Sequence, residues 1–180
     1  MADLSRMLLS ASLCLAPQAA RAGSADQAVE QFRRICLAAG PNFDHMIVTA
    51  ADRHWTVMAE TDFADLAPVA SPNSVRAWLL AEEEEGLPAG TIIGVTRASL
   101  NDKPVQTCTL ALPNVDHEAF RKSFFERTDA EKIADDRDTA RVSRLCIVIA
   151  GGREQFVRLV DLPSTLPGNL VVVASSIMAD

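Results

Sequence analysis

The stretch TIIGVTRASLNDKPVQTCTLAL, residues 91–112, decides the fold, because two runs of alternating residues flank a turn within it. Residues 91–99 and 105–112 repeat with a period of two, which is typical of half-buried β-strands. Asn101, Asp102 and Pro104 lie between the runs and favour a tight connection. Such a short connection joins neighbouring antiparallel strands, so the stretch predicts a β-hairpin.

The same period of two predicts further strands on both sides of this hairpin. One strand is expected at residues 75–81, and three more are expected later in the chain. Gly151 and Gly152 can adopt the positive φ angles of a tight turn between two of the later strands. We interpret the charged residues 128–139 as an exposed connector. Residues 55–74, which contain Pro68 and Pro72, are interpreted as a loop with at most one short strand. The three later strands are predicted at residues 141–150, 154–161 and 170–178.

Helices are predicted before and between these groups of strands. Ser24 and Gln27 form the pattern of a capping box at the start of a helix over residues 25–39. Asn42 can cap a second helix, and Asp116 can cap a third. The short connections favour an α+β fold with an N-terminal helix pair and one further helix. These helices are expected to pack on one face of a mainly antiparallel sheet of about five to six strands.

The first residues have the layout of a secretory signal peptide. Arg6 precedes an apolar run at residues 7–16, and the small residue Ala22 offers a cleavage site. The run is about ten residues long, whereas a helix needs roughly twenty to span a bilayer. We therefore expect a cleaved signal peptide at residues 1–22 and a single α+β domain at residues 23–180, located in the periplasm or secreted.

The charge of the chain limits its partners. The formal net charge is −7 at pH 7, and basic residues form no cluster. Nucleic-acid phosphates and anionic membrane surfaces repel such a chain, so nucleic-acid binding is excluded as a main function. No second apolar stretch approaches the length of a membrane span. The expected partner is a protein or a small-molecule ligand, and the sequence leaves the oligomeric state open.

Cys36, Cys108 and Cys146 remain after the predicted signal peptide, and an oxidising compartment favours a disulfide between two of them. Cys108 shares the apolar face of its strand with Leu110 and Leu112. The first helix must bury its apolar stripe, which includes Cys36, against that face. We predict a Cys36–Cys108 disulfide. A Cys36–Cys146 bridge and the absence of any bridge are the alternatives.

Cys146 is interpreted as the unpaired thiol. The alternation of its strand places Cys146 and Arg144 opposite the more apolar face. A nucleophilic role would need a base such as His117 nearby, and packing as a small apolar residue is the favoured interpretation. The more apolar face of this strand is formed by Leu145, Ile147 and Ile149.

No histidine pattern indicates a metal site. His45 and His54 are nine residues apart, which places them on opposite sides of a continuous helix. His54 with Asp52 or Glu60 is the alternative ligand set, but no HExxH or comparable spacing supports it. We therefore expect neither a metal ion nor another cofactor.

Arginines give the remaining signal for binding. Arg144 and Arg158 fall on neighbouring strands if the two strands pair across the Gly-Gly turn, and together they can bind an acidic partner. The alternative is that they pair with carboxylates of the same chain. The acidic residues 82–85 lack the spaced Asp and Gly of a calcium loop and are interpreted as a solvated charge run.

The sequence contains no nucleophile elbow, P-loop or dinucleotide-binding motif. The expected function is therefore a non-enzymatic binding or interaction module. The alternative is a hydrolase-like enzyme that uses His54 or His117 as its acid or base. A cleft in which one of these histidines meets a buried carboxylate would favour the enzyme, and histidines alone in solvent would exclude it.

Overall fold

The computed structural model describes residues 24–137, 142–163 and 170–179, and in these ranges one antiparallel sheet of eight strands supports the helices. The predicted signal peptide at residues 1–22 lies outside the described residues. In chain order the elements are α1 (Ala25–Phe32) with a π-helical turn (Arg33–Leu37), α2 (Phe43–Asp52), β1 (Thr56–Val57), α3 (Glu60–Phe63) with a 3₁₀ turn (Ala64–Leu66), β2 (Ser74–Leu79), β3 (Ile92–Leu100), β4 (Lys103–Pro113), α4 (His117–Thr128), β5 (Glu131–Arg137), β6 (Val142–Ala150), β7 (Arg153–Pro163) and β8 (Leu170–Ala179).

The strands form two meanders that meet in the middle of the sheet. Their spatial order is β1-β2-β3-β4-β8-β7-β6-β5, and every neighbouring pair is antiparallel. Strands β1 to β4 form the first meander and β5 to β8 the second, and α4 connects them. The last strands of the two meanders, β4 and β8, pair at the centre, which leaves β1 and β5 as the edges.

The expectation of about five to six strands is wrong, because the sheet has eight strands. β5 lies in the segment for which the sequence predicts an exposed connector. Residues 131–136 are all exposed, so β5 lacks the apolar alternation from which strands are predicted. Its backbone pairing with β6 forms it instead, and its charged side chains suit a sheet edge. β1 (Thr56–Val57) has only two residues and lies in the segment that is predicted to be a loop with at most one short strand.

Helices α1, α2 and α4 cover one side of the sheet, which we call the helical face. Val29 and Phe32 of α1 are fully buried, and the ring of Phe32 lies 6.2 Å from that of Phe124 in α4. Apolar side chains from both meanders pack against these helices and form the main core. The strand residues of this core include Ile93, Val95, Leu110, Leu112, Val148, Val157 and Leu159.

A disulfide joins α1 to the centre of the sheet. Cys36 and Cys108 lie at disulfide distance, with their Cα atoms 5.3 Å apart, as the sequence predicts. Cys36 belongs to the π-helical turn, which buries it next to Leu37. The carbonyl oxygen of Leu37 accepts a hydrogen bond of 2.8 Å from the buried Gln155 amide of β7. The turn is therefore held both by the bridge and by a side chain of the second meander.

The predicted orientation of β6 is wrong, because Cys146 and Val148 face the helices and Ile149 faces away with 67% exposure. Both faces of β6 are apolar, so alternation alone does not show which face the helices cover. Cys146 also shares a row of side chains with Cys108, and β8 and β7 lie between them. Three strand spacings separate the two cysteines by about 14 Å, well beyond the reach of a disulfide. Distance, rather than orientation, leaves Cys146 unpaired.

A second layer covers part of the opposite face of the sheet, which we call the outer face. α3, its 3₁₀ turn and the residues that follow lie there, so a short helix that the sequence does not predict covers the face opposite α1, α2 and α4. Phe63 packs with Val75 and Ala77 of β2, and Val69 packs with Ile177 of β8. This covering layer therefore extends from β2 across the centre of the sheet. It ends near β7, where the carbonyl of Pro68 accepts a hydrogen bond from Arg158.

Candidate functional site

Four apolar side chains lie on the outer face of β6 and β7, next to the covering layer. Ile147 pairs directly with Phe156 across the two strands, and Leu145 and Ile149 flank Ile147 on β6. Ile149 is 67% exposed, Phe156 is 40% exposed, and Leu145 and Ile147 are half-buried. Among the described residues, none of the four belongs to an apolar cluster of the core. We call Leu145, Ile147, Ile149 and Phe156 the apolar patch.

Carboxylates surround the apolar patch on three sides. Glu131 of β5 pairs with Ile147, and Asp136 pairs with Ser143 near the other end of β6. Glu154 of β7 pairs with Ile149. All three carboxylates are exposed. The rim of the apolar patch is therefore acidic, as expected for a chain of net negative charge.

Arg158 is the cation at the border between the apolar patch and the covering layer. It pairs with Leu145 across the strands and is half-buried. Its Nε atom donates to Ser143 Oγ at 3.0 Å, and Nη1 donates to the Pro68 carbonyl at 3.4 Å. Arg158 thus ties the covering layer to β6 and β7.

Arg144 lies on the other side of the sheet from Arg158, although the two residues are on neighbouring strands. Arg144 pairs with the buried Leu159, whereas Arg158 pairs with Leu145 of the apolar patch. The structure therefore does not bring the two predicted binding arginines into one site. Arg141, the nearest other arginine in the sequence, lies outside the described residues.

A network of charged side chains surrounds Asp161 on the helical face. Arg121 of α4 donates from Nη1 to Asp161 Oδ2 at 2.6 Å, and Arg144 Nη1 lies 3.7 Å from the same oxygen. Arg144 Nε also lies 3.1 Å from Asp135 Oδ1 of β5. The network links α4 to β5, β6 and β7, so the carboxylates of the chain itself engage Arg144.

His117 completes this network and stands beside the half-buried carboxylate of Asp161. It is the first residue of α4 and is 8% exposed, and its Nδ1 lies 3.0 Å from Asp161 Oδ1. A neutral imidazole that donates from Nδ1 carries its lone pair on Nε2. Nε2 of His117 is buried and has no hydrogen-bond partner among the described residues. An aspartate that orients a histidine in this way is a recurring arrangement in acid–base catalysis.

His54, the other candidate acid or base, lies in solvent at the end of α2. Its φ of 57° and the 3.0 Å contact between its Nδ1 and the Asp52 carbonyl describe a helix-end residue. The acidic run next to α2 is less solvated than predicted, because Glu84 accepts hydrogen bonds from Arg53 and from the indole of Trp55. These contacts hold the loop that contains Glu84 against the end of α2. Among the described contacts, His54 has no carboxylate partner.

Cys146 has the properties of a packing residue. Burial raises the pKa of its thiol to about 11, and the nearby charge of Asp135 adds to the effect. A nucleophilic cysteine requires the opposite, an electropositive surrounding that lowers the pKa. The structure therefore gives no support to a reactive Cys146.

A cleft of about 470 Å³ lies between α1, the end of α4 and the end of β6, with Leu37 and Val148 among its apolar lining residues. Arg33, Arg34 and Arg127 also line it. Each arginine is already paired within the chain, and the partners are Glu30, Glu85 and Asp26 respectively. Cations in the last turn of a helix also interact favourably with the partial negative charge of the helix C-terminus, so these arginines have a structural role.

Within the described ranges, no three His, Cys, Asp or Glu side chains are grouped so that they could hold a metal ion. No described helix combines the length and the apolar character that crossing a membrane requires. The apolar patch and the His117–Asp161 pair are the two candidate sites among the described residues. No family model matches the chain, and no curated protein or solved structure matches it either.

Proposed function

We propose that the chain is an exported interaction module that docks a partner protein on the apolar patch. The observation that carries this proposal is that the covering layer protects one part of the outer face and leaves the apolar patch uncovered. A layer covers the part from β2 to β8, whereas the four side chains on β6 and β7 join no apolar cluster among the described residues. Clustered exposed apolar residues with a polar rim mark interaction sites on proteins.

Export to the periplasm or the medium is part of the same proposal. The basic residue, apolar run and small residues of the N-terminal sequence favour it. The Cys36–Cys108 bridge is compatible with it, because disulfides persist mainly in oxidising compartments.

Site-specific photo-crosslinking in the producing cells tests the docking surface. A photoreactive phenylalanine analogue replaces Ile149 in one variant and Val48 in the matched control. Val48 is 57% exposed and lies on α2, on the helical side of the sheet. We expect a discrete crosslinked species from position 149 only, and its loss when Phe156→Glu is added. Equal crosslinking from positions 149 and 48, or none from position 149, would contradict the proposal.

The contact between His117 and Asp161 favours a second candidate function, acid–base hydrolysis. In that function Asp161 orients His117, and Nε2 removes a proton from water or from a substrate hydroxyl. Since Nε2 is buried, substrate access requires α4 to move away from β6 and β7. The apolar patch needs no such opening, which is why docking is the first candidate.

A panel of chromogenic ester, peptide and phosphoester substrates tests this second function. His117→Gln is expected to lower turnover by at least about 100-fold, the usual contribution of a general base. His54→Gln is the matched control and is expected to keep the wild-type rate, because His54 lies in solvent. Absence of turnover in the wild type, or equal rates in both variants, would exclude catalysis by His117 on these substrates.

A further inference from the structure

We infer that the segment docked on the apolar patch is an amphipathic α-helix whose flanks carry lysine or arginine. This inference rests on the proposed function and names the partner's chemistry. Three features of the patch lead to it: the pairing of the strands beneath it, the layer beside it and the charge of its rim.

The strands beneath the apolar patch have no free backbone edge. β6 pairs with β5 on one side and with β7 on the other, and β7 pairs with β6 and β8. An added strand would therefore find unpaired backbone groups only at the outer edge of β5, and none over the apolar patch itself. The docked segment must satisfy its own backbone, as an α-helix does through its internal hydrogen bonds.

The covering layer limits the shape of what can dock. It lies beside the apolar patch, one layer of chain above the sheet, and Pro68 and Arg158 mark its border. A flat sheet that contacts the covering layer cannot also reach the apolar patch, which lies one layer lower. The sheet face of another copy of this chain therefore fits poorly. The distance from β5 to β7 is about 10 Å, which matches the diameter of one helix with its side chains.

The rim of the apolar patch selects the charge of the helix. Glu131, Asp136 and Glu154 are exposed around it. Arg158 already donates to Ser143 and to the Pro68 carbonyl. Cationic side chains on both sides of the apolar stripe would meet these carboxylates, whereas an acidic helix would be repelled.

Binding of synthetic helical peptides, measured by fluorescence anisotropy, tests the inference. Three peptides of about 18 residues share one apolar stripe. The first has lysine flanks, the second has glutamate flanks, and the third has lysine flanks with a central proline that breaks the helix. We expect the lysine peptide to bind at least about tenfold more tightly than either of the others. Higher salt should weaken this binding, because the pairs at the rim are exposed.

Variants of the folded protein locate the site and test the role of charge. Ile149→Glu should abolish binding of the lysine peptide, and the matched change Val48→Glu should leave it unchanged. The double variant Glu131→Lys/Glu154→Lys should reverse the preference towards the glutamate peptide. Circular dichroism of each variant establishes that it is folded.

The outcomes separate this inference from the proposed function. Crosslinking at position 149 together with equal binding of all three peptides, or with binding that Ile149→Glu does not change, would overturn the basic helix while the docking surface stands. Absence of crosslinking at position 149 would remove the docking surface itself. Tight binding of the proline peptide would show that the occupant is an extended segment.

Discussion

Gly94 has no side chain, and the ring of Phe63 occupies the space that a Cβ atom at this position would need. The contact seats the covering layer on β3, because Phe63 is fully buried and packs with β2 beside it. The backbone of Gly94 does not require glycine, since its φ is not among the positive values of the chain. The glycine is therefore explained by packing and not by a turn.

Gly94→Ala is expected to lower the free energy of unfolding by about 1–3 kcal/mol, the usual effect of overfilling a packed site. Urea unfolding followed by circular dichroism measures this. In a Phe63→Ala background the same change should be neutral or slightly stabilising, because alanine restricts the unfolded chain more than glycine does. An equal loss in both backgrounds would show that Phe63 is not the cause.

Cys146 is expected to resist alkylation in the folded protein. Burial raises its pKa from 9.0 to about 11, so the reactive thiolate is scarce near neutral pH. Iodoacetamide labelling read by mass spectrometry should modify the Cys146 peptide only after unfolding in guanidinium. Rapid labelling of the native protein would show that β6 opens more readily than its pairing suggests.

The same pKa shift predicts a dependence of stability on pH. The unfolded chain loses the thiol proton first, so the contribution of Cys146 is complete below pH 9.0 and is lost as the pH rises towards about 11. Urea midpoints measured on both sides of pH 9.0 should fall more steeply for the wild type than for Cys146→Ala. Parallel curves would contradict the shift.

At the scale of elements, the disulfide and the π-helical turn act together. The bridge closes a loop between residues 72 positions apart, which stabilises the fold by about 4 kcal/mol in the chain-entropy model. Gln155 adds a second anchor, because its amide donates to Leu37 and its carbonyl accepts from Ser176 at 2.6 Å. The end of α1 is thereby fixed to β4, β7 and β8.

The double variant Cys36→Ala/Cys108→Ala is expected to lose about 4 kcal/mol of stability, measured by guanidinium unfolding. Reductant should destabilise the wild type by a similar amount and should leave the double variant unchanged. Peptide mapping without reductant should show the Cys36 peptide joined to the Cys108 peptide. A further loss of stability of the double variant in reductant would mean that another bridge contributes.

Elements with buried faces were predictable from the sequence, and elements at the margins were not. The hairpin of β3 and β4 follows from alternation around Asn101 and Asp102, both of which have positive φ. The bridge is predictable because helical spacing and strand alternation place both cysteines on one side. β5 was not predictable, because backbone pairing with β6 forms it and its side chains show no apolar alternation. The orientation of β6 was not predictable, because both of its faces are apolar. The apolar patch could not be predicted either, because the sequence does not show which apolar face of β6 the helices cover.

The contact between His117 and Asp161 could not be predicted, because 44 positions separate the two residues and only the pairing of α4 with the second meander brings them together. The sequence predicts that Arg144 forms a binding site with Arg158, but the two side chains lie on opposite faces of the sheet. The contacts of Arg144 are with Asp161 and Asp135, which depend on strand register and on the position of β5. Register across a sheet is not encoded in the spacing of a single strand.

At the scale of the whole molecule, the two meanders make stability uneven across the sheet. β4 and β8 are paired on both sides, and the bridge also anchors β4. β1 has two residues, and β5 is an exposed edge with a register shift between Lys132 and Ala134. The centre of the sheet is therefore expected to open only with global unfolding, and the edges to open locally.

Native-state hydrogen exchange followed by NMR tests this gradient. Amides of β4 and β8 should exchange with free energies equal to that of global unfolding, and amides of β5 should exchange most readily among the longer strands. Opening of β5 should also precede exposure of Arg144, because Asp135 of β5 contacts its Nε atom. Protection of β5 equal to that of β8 would show that the sheet opens as one unit.

The arrangement of the meanders also orders events as the chain is made. Both bridge cysteines and the whole first meander lie within the first 113 residues, and Cys146 follows more than thirty residues later. A chain that reaches an oxidant with its N-terminus first exposes Cys36 and Cys108 to each other before the competing thiol arrives. The order of the cysteines along the chain therefore favours formation of the Cys36–Cys108 bridge before Cys146 can compete for either partner.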